Sequence, residues 1–106
     1  MTDRIEQIRS MLERSPEDVF LHYGLGMEYV STRQWDSAIE EFRQCIALDQ
    51  EHLASYVELG KCFRAAGKFD EAREVFTSAI TLADRQDAAH MRDHLRQQLE
   101  GLPGAS

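Results

Sequence analysis

Apolar residues recur along this chain at intervals of three and four. Ile5, Ile8, Met11 and Leu12 fall on one stripe, which predicts a helix over residues 3–14 that needs a neighbour to cover it. Ser15-Pro16-Glu17-Asp18 then reads as a helix start, with Ser15 as N-cap, Pro16 in the first helical position and acids in the first turn. That second helix runs to about Ser31. A third is expected from about Asp36 to Leu48, and a fourth, capped by Asp49, ends near Ala66 with Gly67 as its stop. A fifth spans about Asp70 to Asp84, and a sixth about Asp87 to Glu100, closed by Gly101 and Pro103. Residues 102–106 are expected to form a disordered tail. No window alternates apolar and polar with period two, so no strand is expected and the fold class is all-α, with about six helices.

Gly60 is out of place in this scheme, since glycine inside a helix costs about 1 kcal/mol relative to alanine. It has an earlier counterpart in Gly26. Residues 19–52 lie over residues 53–86 without a gap, the two segments being equal in length. Leu25 meets Leu59, Tyr29 meets Phe63, Trp35 meets Phe69 and Asp36 meets Asp70; further on, Ala38 meets Ala72, Phe42 meets Phe76, Ile46 meets Ile80 and Leu48 meets Leu82. Each unit is a pair of helices in which large and small positions alternate, as close antiparallel packing requires.

Leu25-Gly26-x-x-Tyr29 with Ala38-x-x-x-Phe42, and Tyr56-x-x-Leu59-Gly60-x-x-Phe63 with Ala72-x-x-x-Phe76, resemble the tetratricopeptide repeat. The resemblance implies antiparallel helix-turn-helix units stacked as a short right-handed solenoid, in one domain over residues 1–106. Residues 3–14 would be a flanking helix in the place of a preceding half repeat, 19–52 and 53–86 the two repeats, and 87–101 a capping helix. His22 and Tyr56 stand where the family has its first tryptophan, and Gln50 and Asp84 where it has its closing proline. Gly26 and Gly60 are then packing residues that admit a large side chain of the partner helix, with Ala38 and Ala72 serving the same purpose from the other side. A phosphate-binding loop needs clustered glycines between a strand and a helix, and "GLG" at 24–26 lies inside a helix. Trp35, Phe42, Phe63, Phe69 and Phe76 occupy repeat-matched places and are read as core or turn-packing residues.

Charge narrows the partners. Twelve basic and nineteen acidic residues give a net charge of −7 and a pI near 5.0, which disfavours nucleic acid and anionic membranes. Cys45 and Cys62 match no metal or disulfide spacing and are expected as buried free thiols. The first ten residues lack the apolar run of a secretory leader, and no stretch has the length of a membrane span, so the cytoplasm is the expected location.

Catalytic patterns are weak. His90 and His94 share a helix face near Asp87 and Asp93 and could hold a metal, but without a third ligand at helical spacing they are better read as solvated surface. Glu40-Glu41 and Asp70-Glu71 stand early in helices, where acids serve the dipole, and no serine, histidine and acid combine as a triad. Neither catalysis nor a cofactor is expected.

The resemblance does imply a binding surface. In the family the first helix of each unit lines a concave groove, here offering Phe20, Tyr23, Met27 and Val30, then Ala54, Val57, Glu58, Lys61 and Arg64, then Met91, Arg92 and Leu95. Tyr23, Met27, Val57 and Lys61 are expected to form a partly exposed patch that takes a peptide or helix of a partner protein. The alternative is a homodimer formed through this apolar inner face or through an end helix. Family members that grip a chaperone's C-terminal carboxylate do so with basic and amide side chains at the places held here by Tyr23, Met27, Glu58, Ala88 and Arg92. Only Arg92 suits a carboxylate and Glu58 would repel one, so that activity is not expected here.

Overall fold

The computed structural model describes residues 3–104, and among them it contains six helices and no strand. They are α1 (Arg4–Arg14), α2 (Val19–Ser31), α3 (Trp35–Leu48), α4 (Leu53–Ala65), α5 (Phe69–Arg85) and α6 (Ala89–Glu100). α2 and α4 begin and end at matching places of the sequence repeat, Val19 against Leu53 and Ser31 against Ala65. Each helix packs chiefly on its neighbours in the chain, so the molecule is elongated, 47 × 28 × 19 Å. This is the quasi-linear stacking of an all-α repeat solenoid.

Its core is built from helix crossings. Leu25, Gly26 and Tyr29 of α2 are buried with Ala38, Ile39, Phe42 and Cys45 of α3, and Leu59, Gly60 and Phe63 of α4 with Ala72, Phe76 and Ala79 of α5. A Cβ placed on Gly26 would stand 2.7 Å from Cε1 of Phe42, and one on Gly60 would stand 2.7 Å from Cδ1 of Phe76 and closer still to its Cε1. Cβ atoms are not found so near another heavy atom, so the rings of Phe42 and Phe76 occupy the space that any other residue would fill. The helix propensity lost at each glycine is offset by a fully buried ring, since Phe42 and Phe76 are 0 % exposed.

Repeat matching extends to the backbone. Gly67, the residue after the α4 C-cap, has φ +78°, and Arg33, its counterpart in the first unit, takes the same left-handed conformation with φ 59°. The matching ends at the last turn of the second helices, because α3 stops at Leu48, which is 39 % exposed, whereas α5 runs on to Arg85 and buries the matching Leu82. Trp35 and Phe69 are half-buried at the starts of α3 and α5, while Phe42, Phe63 and Phe76 are core.

Three helix starts differ from the sequence expectation. Ser15 does not cap α2; it closes α1, its N–H donating to the Met11 carbonyl at 3.0 Å. Asp18 caps α2 instead, its Oδ1 accepting from Leu21 N–H at 3.2 Å, which leaves Pro16 in the connecting loop. Asp49 does not cap α4, because its carboxylate is spent within the turn on the Glu51 N–H at 3.0 Å and α4 starts only after His52. Asp87 has φ 55°, so it cannot join α6. The end of the chain also differs from a free tail: Leu102 is buried, and Arg73 Nη2 donates to the Pro103 carbonyl at 3.1 Å. Of the expected tail, residues 105 and 106 lie outside the described residues.

Two glycine substitutions test the crossing. Gly60→Leu is expected to destabilise the fold by about 1 to 3 kcal/mol or more through overpacking against Phe76. Gly24→Ala, whose Cβ would meet only Ile8 Cδ1 at an ordinary 3.9 Å, should be neutral or stabilise by up to about 1 kcal/mol. Thermal melts followed by helical circular dichroism separate the two, and equal melting temperatures for Gly60→Leu and the parent would remove Gly60 from the crossing.

Candidate functional site: the face of the first helices

α2 turns Leu25, Gly26 and Tyr29 toward α3 and keeps Tyr23, Met27 and Val30 on another side, each half-buried. Tyr23 is committed to structure: its ring lies 5.6 Å from that of Phe42 and 5.4 Å, edge on, from His52. Burial, followed by the charges of Glu58 and Cys45, pushes its phenol above the ordinary range. Phe20 stands apart from this group. It is 83 % exposed and borders a crevice of about 220 Å³ between α1 and α2, together with Met11, Ile8 and Gly24.

On α4, Val57 departs from the expected partly exposed patch. It occupies the repeat place of Tyr23 but is 4 % exposed and belongs to the core, where a short branched side chain packs between helices and leaves nothing at the surface. Glu58 and Lys61 are half-exposed and pair loosely, Nζ to Oε2 4.0 Å. Arg64, one turn beyond, is half-buried and forms no ion pair among the described residues. Ala54 is exposed. On α6, Met91 is half-buried and Arg92 is held by two carboxylates, Nη1 to Asp84 Oδ1 at 3.1 Å and Nε to Asp93 Oδ1 at 3.4 Å. Met27 and Val30 of α2 and Glu58, Lys61 and Arg64 of α4 are thus partly exposed, while Phe20 stands at one end and Arg92 is paired at the other.

The two thiols and Ser55 lie out of reach. Cys45 and Cys62 are free and buried; burial raises both thiols, and with the nearby Glu58 charge it takes Cys62 to about 11. Such thiols stay protonated near neutral pH. His52 Nδ1 lies 2.7 Å from Ser55 Oγ, a contact not foreseen from the sequence, but Ser55 is 0 % exposed and its hydroxyl can meet no substrate. Among the described residues no three His, Cys, Asp or Glu side chains gather as a metal site, and no helix is long and apolar enough to cross a membrane.

The tetratricopeptide repeat family profile matches residues 23–89, more than half of the chain. The chain belongs to the tetratricopeptide repeat (TPR) family. A TPR repeat-containing protein of Pseudomonas aeruginosa is 30% identical to it over 97 residues, covering 88% of this chain and 92% of that one. Its fold is similar to the solution structure of a Bordetella parapertussis protein, with TM-score 0.83 at 23% identity over 94% of this chain and 87% of that one. It is also similar to the first TPR of Spaghetti bound to an HSP90 peptide, with TM-score 0.71 at 17% identity over 92% and 80% of the two chains.

Within the TPR pattern, His22 and Tyr56 do one job with different chemistry. Tyr56 Oη donates to the Gln50 carbonyl at 3.0 Å, and His22 Nε2 lies 2.7 Å from the carbonyl of Pro16, so each reaches back to the loop before its own helix. His22 makes a second contact, Nδ1 to Glu41 Oε1 at 2.8 Å, which ties α2 to α3. Both partners are acceptors, so only the doubly protonated imidazolium satisfies them together. Burial alone would lower the His22 pKa; the Glu41 and Pro16 hydrogen bonds and the Glu41 and Asp18 charges outweigh it, and the net direction is up from 6.5. A histidine whose folded pKa is raised binds its proton more tightly in the native state, so its stabilisation is complete below about 6.5 and is lost as pH rises through the folded value. Urea unfolding across that window should show stability falling with pH, and His22→Gln should flatten this dependence; an unchanged slope in the variant would remove His22 as its source.

Proposed function

We propose that this TPR protein is a non-enzymatic binding module that takes a segment of a partner protein on the face of α2 and α4. The observation that carries this is the group Met27, Val30, Lys61 and Arg64, which the helix pairs of the fold leave only partly covered. A peptide ligand is supported by the relation to the first TPR of Spaghetti, which holds an HSP90 peptide. That peptide's own mode of capture does not carry over. Glu58 and Tyr23 stand where a carboxylate would need donors, and Arg92 is already paired with Asp84 and Asp93. The ligand that fits instead places apolar side chains on Met27 and Val30 and an acidic one between Lys61 and Arg64. With Cys45 and Cys62 both free thiols in the core, the reducing cytoplasm is the compartment we assign.

Testing this requires substitutions that spare the core, which excludes Tyr23. Lys61→Glu with Arg64→Glu should weaken capture of the partner from the source cell about tenfold or more, with the melting temperature nearly unchanged. Glu40→Lys, on the exposed side of α3, should leave capture intact. Equal capture by the parent and the Lys61/Arg64 variant would place the partner elsewhere.

A further inference from the structure

The two ends of the solenoid are chemically unlike. At the C-terminal end, α6 has Asp93, His94 and Gln97 at the places where α2 and α4 carry the residues that receive a second helix, so this end presents polar groups. At the N-terminal end, α1 covers α2 with Ile5, Ile8 and Leu12 and turns a second face outward, made of Glu6, Gln7, Ser10, Met11 and Arg14. Met11 is 51 % exposed and belongs both to this face and to the crevice that ends at Phe20, itself 83 % exposed. Two large apolar side chains thus lie together at one end.

We propose that this face docks on the same face of a second copy of the chain, α1 against α1, antiparallel about a two-fold axis at Ser10. Glu6, Ser10 and Arg14 follow one another at intervals of four, so they form a single row along the helix. Turning a second helix end for end about Ser10 brings its Arg14 to Glu6 and its Glu6 to Arg14. The row is therefore self-complementary in charge, with a small residue at the centre where the backbones approach most closely. Neither Glu6 nor Arg14 forms an ion pair among the described residues, so both are available for these contacts. Met11 of each copy then lies beside the axis and covers the other's crevice and Phe20.

Head-to-tail stacking offers no such match, because the polar surface of α6 has nothing apolar to set against Met11 and Phe20. The placement of Glu6 in the first turn and Arg14 in the last also suits the dipole of α1 alone, which is the plainer account of the two charges. It does not account for Met11 and Phe20. An 11-residue helix spans only about 16 Å, so the contact falls below the roughly 800 Å² per partner of a standard interface, and the dimer belongs among weak, reversible ones. Nothing in this pairing depends on the α2 and α4 face binding a peptide, and the residues that test the two are different.

Sedimentation velocity on the 106-residue chain over a wide concentration range provides the test. The parent should dimerise reversibly. Glu6→Arg sets two arginines against each other and Arg14→Glu sets two glutamates, so each variant alone should dimerise about tenfold more weakly or worse. An equimolar mixture of the two variants restores both opposite-charge contacts and should recover dimers. Circular dichroism should show all three proteins folded, as substitutions on this exposed face allow. A parent that stays monomeric throughout overturns the proposal, as does a dimer of undiminished strength in both single variants or a mixture no stronger than its components; a foreign helix bound to α1 by a monomeric chain would be the first of these results.

Discussion

Phe42 and Phe76 rest their rings on helix backbone at points where a Cβ would stand, and this contact sets the distance between the two helices of each unit. With a side chain at Gly26 or Gly60 the rings of Phe42 and Phe76 would have to give way by the thickness of a methyl group, and the fully buried Ala38 and Ala72 of the same helices would lose their close packing. The recurring glycines thus serve packing. Helices α3 and α4 are in turn held by what the first crossing presents, including Tyr23, whose ring lies against both Phe42 of α3 and His52, the residue that caps the start of α4.

Because each helix packs chiefly on its sequence neighbours, distant helices cover little of the faces left over among the described residues. A closed globular domain would bury them; a solenoid of this length keeps an inner face and two ends open. The inner face combines Met27 and Val30 with the charges of Lys61 and Arg64, the C-terminal end is polar, and the N-terminal end carries Met11 and Phe20. These surfaces differ in chemistry, and the inner one is not separate from the fold, since Met27 and Val30 also pack against the core.

The repeat was legible in the sequence because packing constraints recur at fixed spacing: a missing Cβ at Gly26 and Gly60 can be seen without coordinates once Phe42 and Phe76 are found at the same offset. The helix order followed from it. Caps were less legible, since Ser15, Asp18 and Asp49 can all cap a helix, and which does so depends on where the preceding helix releases the chain. Exposure within the expected binding face was also hidden. Val57 and Tyr23 share a repeat position, yet the smaller side chain sinks into the core while the larger one stays half outside, and periodicity carries no information about that difference. The His22 bridge to Glu41 and Pro16 was invisible because the residues come from three separate segments, and only the departure from tryptophan at this place hinted at it.

A double-mutant cycle at the second crossing tests most directly whether the fold depends on rings seated against bare backbone. Gly60→Ala, Phe76→Leu and the two together would be compared by urea unfolding. If the ring occupies the space of the absent Cβ, shrinking it relieves the clash, and the double variant should be more stable than the sum of the single effects by over about 0.5 kcal/mol. Strict additivity of the two substitutions would contradict it.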